Sequence, residues 1–368
     1  MWIRILALTI KELLSLLRDK KGRFVVIAPP LVQLLIFGYA STFDLNHIPY
    51  AIYNEDPGFA ARELLGHFQG SPIFQHVASI HENKQIAPLI NNKTVLLVLH
   101  IDRNFTRDLL RHHSAKTQVI IDGRNSNTAT IALNYVNSIL FSFNELWAKT
   151  HGWSKPPAEL EIRAWFNPNL LSRWFIIPGI IALLMQVVTL LVTGLSVARE
   201  REQGTFDQLL VTPMSLSEIL IGKALPGLII GGVEGVAIAI IAVLWFQVPF
   251  MGSLLALGLG MFLFLLAVIG IGLMISSLAV TQQQGLLGVF MFMVPSIILS
   301  GFATPIANMP SLIQNLTYLN PLRYFLIIVR GVFLEGNHII HLWSQYWPLA
   351  LIALFTMTTS AWLFRKRA

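Results

Sequence analysis

The sequence predicts an α-helical polytopic membrane protein: six transmembrane helices, with an α/β domain inserted between the first and second. Three observations lead there. The 368 residues are 54% hydrophobic and only 12% charged, about half the charged share of ordinary soluble domains. Apolar runs of about 20 residues recur, long enough to cross a bilayer core. One polar stretch, residues 44–173, interrupts them with strand-like and helix-like segments in alternation.

The net charge of +7 is not a nucleic-acid signal, because much of the Lys and Arg flanks apolar runs, where it sets topology. The chain has no cysteine, which excludes disulfides, cysteine metal sites and thiol catalysis.

Residues 1–23 open with apolar side chains at Ile3, Leu6, Ile10, Leu13, Leu14 and Leu17, and polar ones at Arg4, Lys11, Ser15 and Arg18. That spacing predicts an amphipathic helix in the cytoplasmic membrane interface; the plainer alternative is the cytoplasmic start of the first span. Residues 24–43 form transmembrane helix 1. Gly38-Tyr39-Ala40 resembles a signal-peptide cleavage site, but the basic region before the apolar run is too long for one.

Within 44–173, Tyr50–Asn54, Thr94–Ile101 and Thr117–Ile121 are rich in β-branched residues and predict strands. Ala60–Phe68, Phe105–His112 and Ala129–Trp147 predict helices. Asp56-Pro57-Gly58 and Asp122-Gly123 have turn chemistry; Asp122 to Ser126 could pass for a ligand loop but is read as a turn. His112 and His113 are read as surface residues. Trp165, Phe166 and Trp174 suit an aromatic belt at the entry to helix 2.

Residues 174–368 carry the remaining spans: Phe175–Ala198, Leu225–Phe246 with Pro226 inside, Ser253–Val280, Gly285–Ala303 and Gln345–Phe364. A charged cytoplasmic loop occupies 199–217. The stretch 304–341 is too apolar for a loop and too broken for a span, so it is expected to be re-entrant or interfacial. Basic residues at the amino-terminal segment, the Arg199 loop and Arg365-Lys366-Arg367 alternate with outer loops. Both termini are therefore expected to be cytoplasmic, and 44–173 outside.

Enzyme chemistry is not predicted. His81-Glu82 begins a zinc-protease pattern, but position 85 is Gln and the second ligand is missing. Gly222-Lys223-Ala224 imitates the end of a phosphate loop but lacks the preceding Gly and the hydroxyl that would hold magnesium. The sequence thus predicts a chain that does not hydrolyse ATP by itself, with no metal, catalytic or cofactor-binding residues.

Two features within the spans remain. Glu234 is an acid inside an apolar run; it calls for a partner helix, a watery cavity or a proton. Gly227, Gly231 and Gly235 recur every fourth residue around it, a stripe that admits close helix approach, with the neighbour's identity left open. Gln186 and Gln33 are expected to bond between helices. In the charged loop, Glu200, Glu202 and Asp207 interleave with Arg199 and Arg201, and apolar Phe206, Leu209, Leu210 and Val211 precede Pro213. This predicts a short amphipathic helix, continuous with a span, that passes on a push as rigid-body motion. The plainer reading is a solvated charged turn.

Arg199-Glu-Arg-Glu-Gln-Gly-Thr205 with Gln208-Leu-Leu-Val-Thr-Pro213 resembles the first cytoplasmic loop of ABC-2 type exporter permeases. Lys11-Glu-Leu with Arg18-Asp19, Asn308-Met-Pro310, and Asn320-Pro-Leu-Arg-Tyr-Phe325 with Arg330-Gly331 agree in order. The large inserted domain, Ile275-Ser-Ser-Leu278 and Thr281-Gln-Gln-Gln284 resemble the bacterial inner-membrane subgroup of the YbhR, YbhS and YhhJ type. The resemblance implies the ABC-2 exporter fold and a multidrug-efflux permease, coupled through Arg199, Glu200, Arg201, Glu202, Gly204, Thr205, Asp207 and Leu209. It implies a separate ABC ATP-binding subunit carrying ATP and Mg, and a second permease chain, identical or paralogous. A periplasmic adaptor and an outer-membrane channel are further implied partners, and membrane lipid surrounds the chain. Two other classes stay open: a proton-coupled secondary transporter using Glu234, and a membrane-anchored sensor or assembly protein acting through its outer domain.

Overall fold

The computed structural model describes residues 2–18, 20–40, 45, 47–124, 126–152 and 171–367. They belong to two compact units: Met1–Ser41 with Ala164–Ala368, and Thr42–Arg163.

The first unit begins with helices α1 (Trp2–Arg18) and α2 (Lys20–Ala40). In α1 the stripe of Ile3, Leu6, Ile10, Leu14 and Leu17 is exposed, while Ile5, Leu8, Thr9 and Leu16 are buried. The helix therefore has two apolar sides, one packed into the protein and one free for lipid. Pro29 and Pro30 lie inside α2.

The second unit runs β1 (Ile48–Asn54), α3 (Phe59–Gln69), β2 (Phe74–Ile80), α4 (Ile86–Asn91), β3 (Leu97–Ile101), α5 (Phe105–Leu110), β4 (Thr117–Ile121) and α6 (Ser126–His151). The strands form one sheet in the order β2-β1-β3-β4, with β1 parallel to both neighbours and β4 antiparallel to β3. Alternation along β1 and β3 sends Tyr50, Ile52, Leu97, Leu99 and Ile101 to one face, against Leu64, Phe68 and Phe143. Strand β2 is not anticipated from the sequence: Gln75, His76 and Ser79 dilute its apolar pattern, as suits a sheet edge. The Asp122 loop is a structural clip. Arg124 donates to both Asp122 carboxylate oxygens and, from Nη2, to the Ile90 carbonyl at 2.7 Å. The Arg124 hydrogen bonds hold the Asp122 pKa down to about 2. Trp165 and Phe166 lie outside the described residues.

The first unit resumes with α7 (Ser172–Gly194), α8 (Ser196–Glu202), α9 (Phe206–Val211), α10 (Leu216–Leu244), α11 (Leu254–Leu278), α12 (Gln282–Ile298), α13 (Ser311–Leu316), α14 (Pro321–Phe333) and α15 (Trp343–Arg367). Four helices among the described residues are long and apolar enough to cross a membrane: Ser172–Glu202, Leu216–Leu244, Leu254–Leu278 and Trp343–Arg367. Ile27–Tyr39 and Gln282–Ile298 are shorter apolar helices. The third expected span starts nine residues before Leu225, because Ser215 and Glu218 form a reciprocal capping box there.

Glycines set the packing of α10. A Cβ at Gly227, Gly231 or Gly235 would strike Thr193, Thr189 or Met185 of α7, and the flanking α11 supplies Ile269, Leu265 and Met261 at the same three levels. The stripe thus fits a matching every-fourth-residue row on an antiparallel neighbour within the same chain.

The 304–341 region resolves into short helices leading to the amphipathic and largely buried α14. Asn320 caps it, its Oδ1 accepting from Leu322 N at 3.1 Å and from Ser296 Oγ at 2.8 Å. Its Nδ2 donates to the Ser296 carbonyl at 2.6 Å, and Gln186 Nε2 donates to Ser296 Oγ at 3.0 Å. Gln186 therefore joins a buried polar knot tying α7, α12 and α14. Asn320→Ala is expected to lower stability by about 2 kcal/mol, from the lost cap and the Ser296 hydroxyl left without its acceptor, read as a fall in the unfolding temperature of the detergent-purified chain.

Candidate functional site: the charged loop and its anchors

The backbone of the loop follows from its sequence. After α7 the helix breaks at Leu195, and the hydroxyl of Ser276 on α11 accepts from Val197 N at 2.9 Å and Ala198 N at 3.1 Å. Helix α8 is closed off by Gly204, whose φ of +68° belongs to the left-handed region. Gly204 N donates to the Arg201 carbonyl at 3.1 Å and Thr205 N to the Glu200 carbonyl at 3.0 Å. Those two bonds are the Schellman pattern. The expected single amphipathic helix is thus two short helices, because the glycine turns the chain between them.

The charges of the loop sit at different depths. Glu200 is buried and Lys223, on α10, is fully so. Glu200 meets Lys11 Nζ through Oε1 and Lys223 Nζ through Oε2, each at 2.7 Å. Lys223 Nζ also lies 3.3 Å from Glu12 Oε1, and Lys11 lies 3.5 Å from the same atom. Two lysines and two glutamates form a neutral quartet joining α1, α8 and α10. Burial alone would lower the Lys11 pKa, but the Glu200 hydrogen bond and the Glu12 and Glu200 charges raise it above the usual lysine range. Lys11 therefore stays charged through the neutral range.

Arg201 and Glu202 grip the turn between α11 and α12. Arg201 Nη1 donates to the Ser277 carbonyl at 2.8 Å and the Ala279 carbonyl at 3.4 Å, at the end of α11. Glu202 Oε2 accepts from Gln282 N at 2.7 Å, at the start of α12. A cation thus sits at a helix carboxyl end and an anion at a helix amino end, each the sign that the helix dipole favours. Arg201 also lies over the Phe206 ring at 4.9 Å, and Phe206 meets Phe364 of α15 edge-on at 5.8 Å. Leu209 is buried beside them.

Among the described residues of the loop, Glu202, Gln203, Gly204, Asp207, Gln208, Val211, Thr212 and Pro213 are exposed, with Val211 86% exposed. A groove of about 620 Å³ runs alongside, lined by Arg4, Lys11, Ser15, Arg199, Gln203 and Gln208 among others. Arg4 closes one end by donating to the Pro213 carbonyl. Among the sequence-predicted site residues, the structure brings Arg199, Glu200, Arg201, Glu202, Gly204, Thr205, Asp207 and Leu209 together. It sets Glu234 and the glycine stripe apart, further along α10. The Glu234 carboxylate oxygens are buried with no hydrogen-bond partner among the described residues.

Glu12, Lys223 and Ser276 carry the anchoring and are missing from the sequence-predicted site. One signal points to them: a lysine inside the apolar run of α10 needs a buried counter-charge.

Comparison with known proteins accords with this geometry. The family described as ABC-2 family transporter protein matches residues 20–362. The probable multidrug ABC transporter permease YbhR of Escherichia coli K12 is 40% identical over 368 residues, all of both chains. YbhS of the same strain, likewise named a probable multidrug ABC transporter permease, is 35% identical over 342 residues, 91% of this chain and 90% of that one. The inner membrane transport permease YhhJ, also of that strain, is 29% identical over 363 residues, 98% of this chain and 96% of that one.

Proposed function

The chain belongs to the ABC-2 family of transporter proteins, and from that premise we propose that it is the membrane-spanning permease subunit of an ATP-driven exporter. It moves amphipathic small molecules, drugs among them, out of the cytoplasm or inner membrane. A separate ATP-binding subunit supplies the energy with its own ATP and Mg, and a second permease chain, identical or paralogous, completes the path. A periplasmic adaptor and an outer-membrane channel extend it outward. The chain lies in the bacterial inner membrane with six spans and both termini cytoplasmic, and residues 44–173 are periplasmic.

The observation that carries this reading is the division of labour in the charged loop. Glu200, Arg201 and Glu202 are spent on α1, α10, α11 and α12, so they position the loop. Gln203, Asp207, Gln208 and Val211 are left for a partner. A push on α9 then reaches several helices as one body, since buried charge pairs and packed rings do not slide independently.

The test is co-purification with the ATP-binding subunit, followed by ATP turnover and drug efflux. Asp207→Lys combined with Val211→Asp is expected to lower capture of the ATPase at least tenfold, with the chain still inserted and folded. Wild-type capture and efflux would remove the loop from the coupling role. Because the chain has no cysteine, topology is read from single introduced ones. Gln203→Cys is expected to react only from the cytoplasm and Arg103→Cys only from outside.

One observation favours a second reading, a proton-coupled transporter: the unpartnered carboxylate of Glu234. Transport without any ATPase, abolished by Glu234→Gln, would select it.

A further inference from the structure

Arg330, on α14, lies against two aromatic rings. Its guanidinium lies 3.8 Å from the centroid of the Phe175 ring on α7 and 5.9 Å from that of Phe302. Its Nε and Nη2 are buried and meet no acceptor among the described residues. Gly179, one turn beyond Phe175, makes room for it: a Cβ there would come within 2.5 Å of the Phe302 ring and 3.4 Å of Arg330 Nη2.

The rings do not satisfy this side chain. A cation–π contact uses the flat face of the guanidinium, whereas the N–H donors lie in its plane. Nε and Nη2 form one edge of that plane, the two-donor fork whose spacing matches the oxygens of a carboxylate or phosphate. An unpaired arginine among apolar helices is costly unless a function retains it. Phenyl rings alongside suit the apolar part of a ligand whose head is acidic.

We propose that Arg330, backed by Phe175 and Phe302, binds the anionic headgroup, phosphate or carboxylate, of an amphiphile held in the helical bundle. This deepens the exporter reading and rests on its membrane placement. The headgroup has two sources, a cargo amphiphile or a resident acidic lipid.

The experiment uses the full-length chain in phosphatidylcholine nanodiscs, labelled by a photoreactive dodecyl phosphate, with the corresponding dodecyl trimethylammonium probe as control. Arg330→Gln is expected to lower phosphate-probe labelling about tenfold or more and to leave ammonium-probe labelling unchanged. Arg330→Lys, which keeps the charge and loses the fork, is expected to fall about threefold or more. Added phosphatidylglycerol that suppresses labelling assigns the site to bilayer lipid, and labelling that persists assigns it to cargo; both uphold the proposal. Equal phosphate labelling of wild type and Arg330→Gln overturns it, as does equal loss of both probes. Should Arg330→Gln fail to fold by size exclusion, unchanged labelling of Arg330→Lys overturns it. Retention of the wild-type chain in carbonate-washed membranes tests the membrane placement separately.

Discussion

Lys223→Met is expected to destabilise the purified chain by about 3–5 kcal/mol, the cost of leaving a buried carboxylate without its counter-charge. The ammonium group is fully buried and touches both Glu200 and Glu12. Without it, two carboxylates face the single charge of Lys11, which is half-exposed. Glu200→Gln alone creates the opposite excess, two lysines against Glu12, and is expected to cost a similar amount. The double variant leaves Lys11 opposite Glu12, balanced again, and is expected to recover much of the loss. Unfolding in detergent measures all three. A Lys223→Met cost under about 1 kcal/mol, or two single effects that simply add in the double variant, would break the account of the quartet.

The same quartet shows where reading the sequence stops. Helices α7, α10, α11 and α15 are legible from apolar runs, because a span must satisfy its backbone internally and so leaves long, recognisable segments. The charged loop is legible as a break between apolar segments, since a mixed-charge run is too costly to bury in lipid. The orientation of each charge within it is not. Glu200 pairs with Lys11 across 189 positions of chain, and Lys223 with Glu12 across 211. No local spacing reports a partner so far away. Glu200 and Glu202 look alike in sequence, yet one is buried in an ion network and the other caps a helix. Gly204 is likewise not legible: its left-handed φ of +68°, which splits the expected single helix in two, is seen only in the structure. In the second unit, strand β4 is legible from its β-branched run, whereas polar β2 is revealed only by pairing with β1.

The glycine stripe admits the sharpest comparison, because two adjacent residues of one helix should respond in opposite directions. Gly231→Ala is expected to destabilise the chain by about 1–3 kcal/mol, and Gly231→Leu by more, as an added Cβ meets Thr189 of α7 and lies 2.6 Å from Leu265 of α11. Neither neighbour can withdraw easily: Thr189 is fully buried and Leu265 nearly so. At Gly232 the nearest atom to an added Cβ is Leu265 Cδ1 at 3.9 Å, an ordinary contact. Gly232→Ala should therefore be neutral or stabilising by up to about 1 kcal/mol, through helix propensity alone. Both substitutions add the same methyl group to the same turn, so hydrophobicity and propensity cancel in the comparison and only the close helix approach differs. Equal effects at the two positions would mean that α10 does not seat its glycines against α7 and α11.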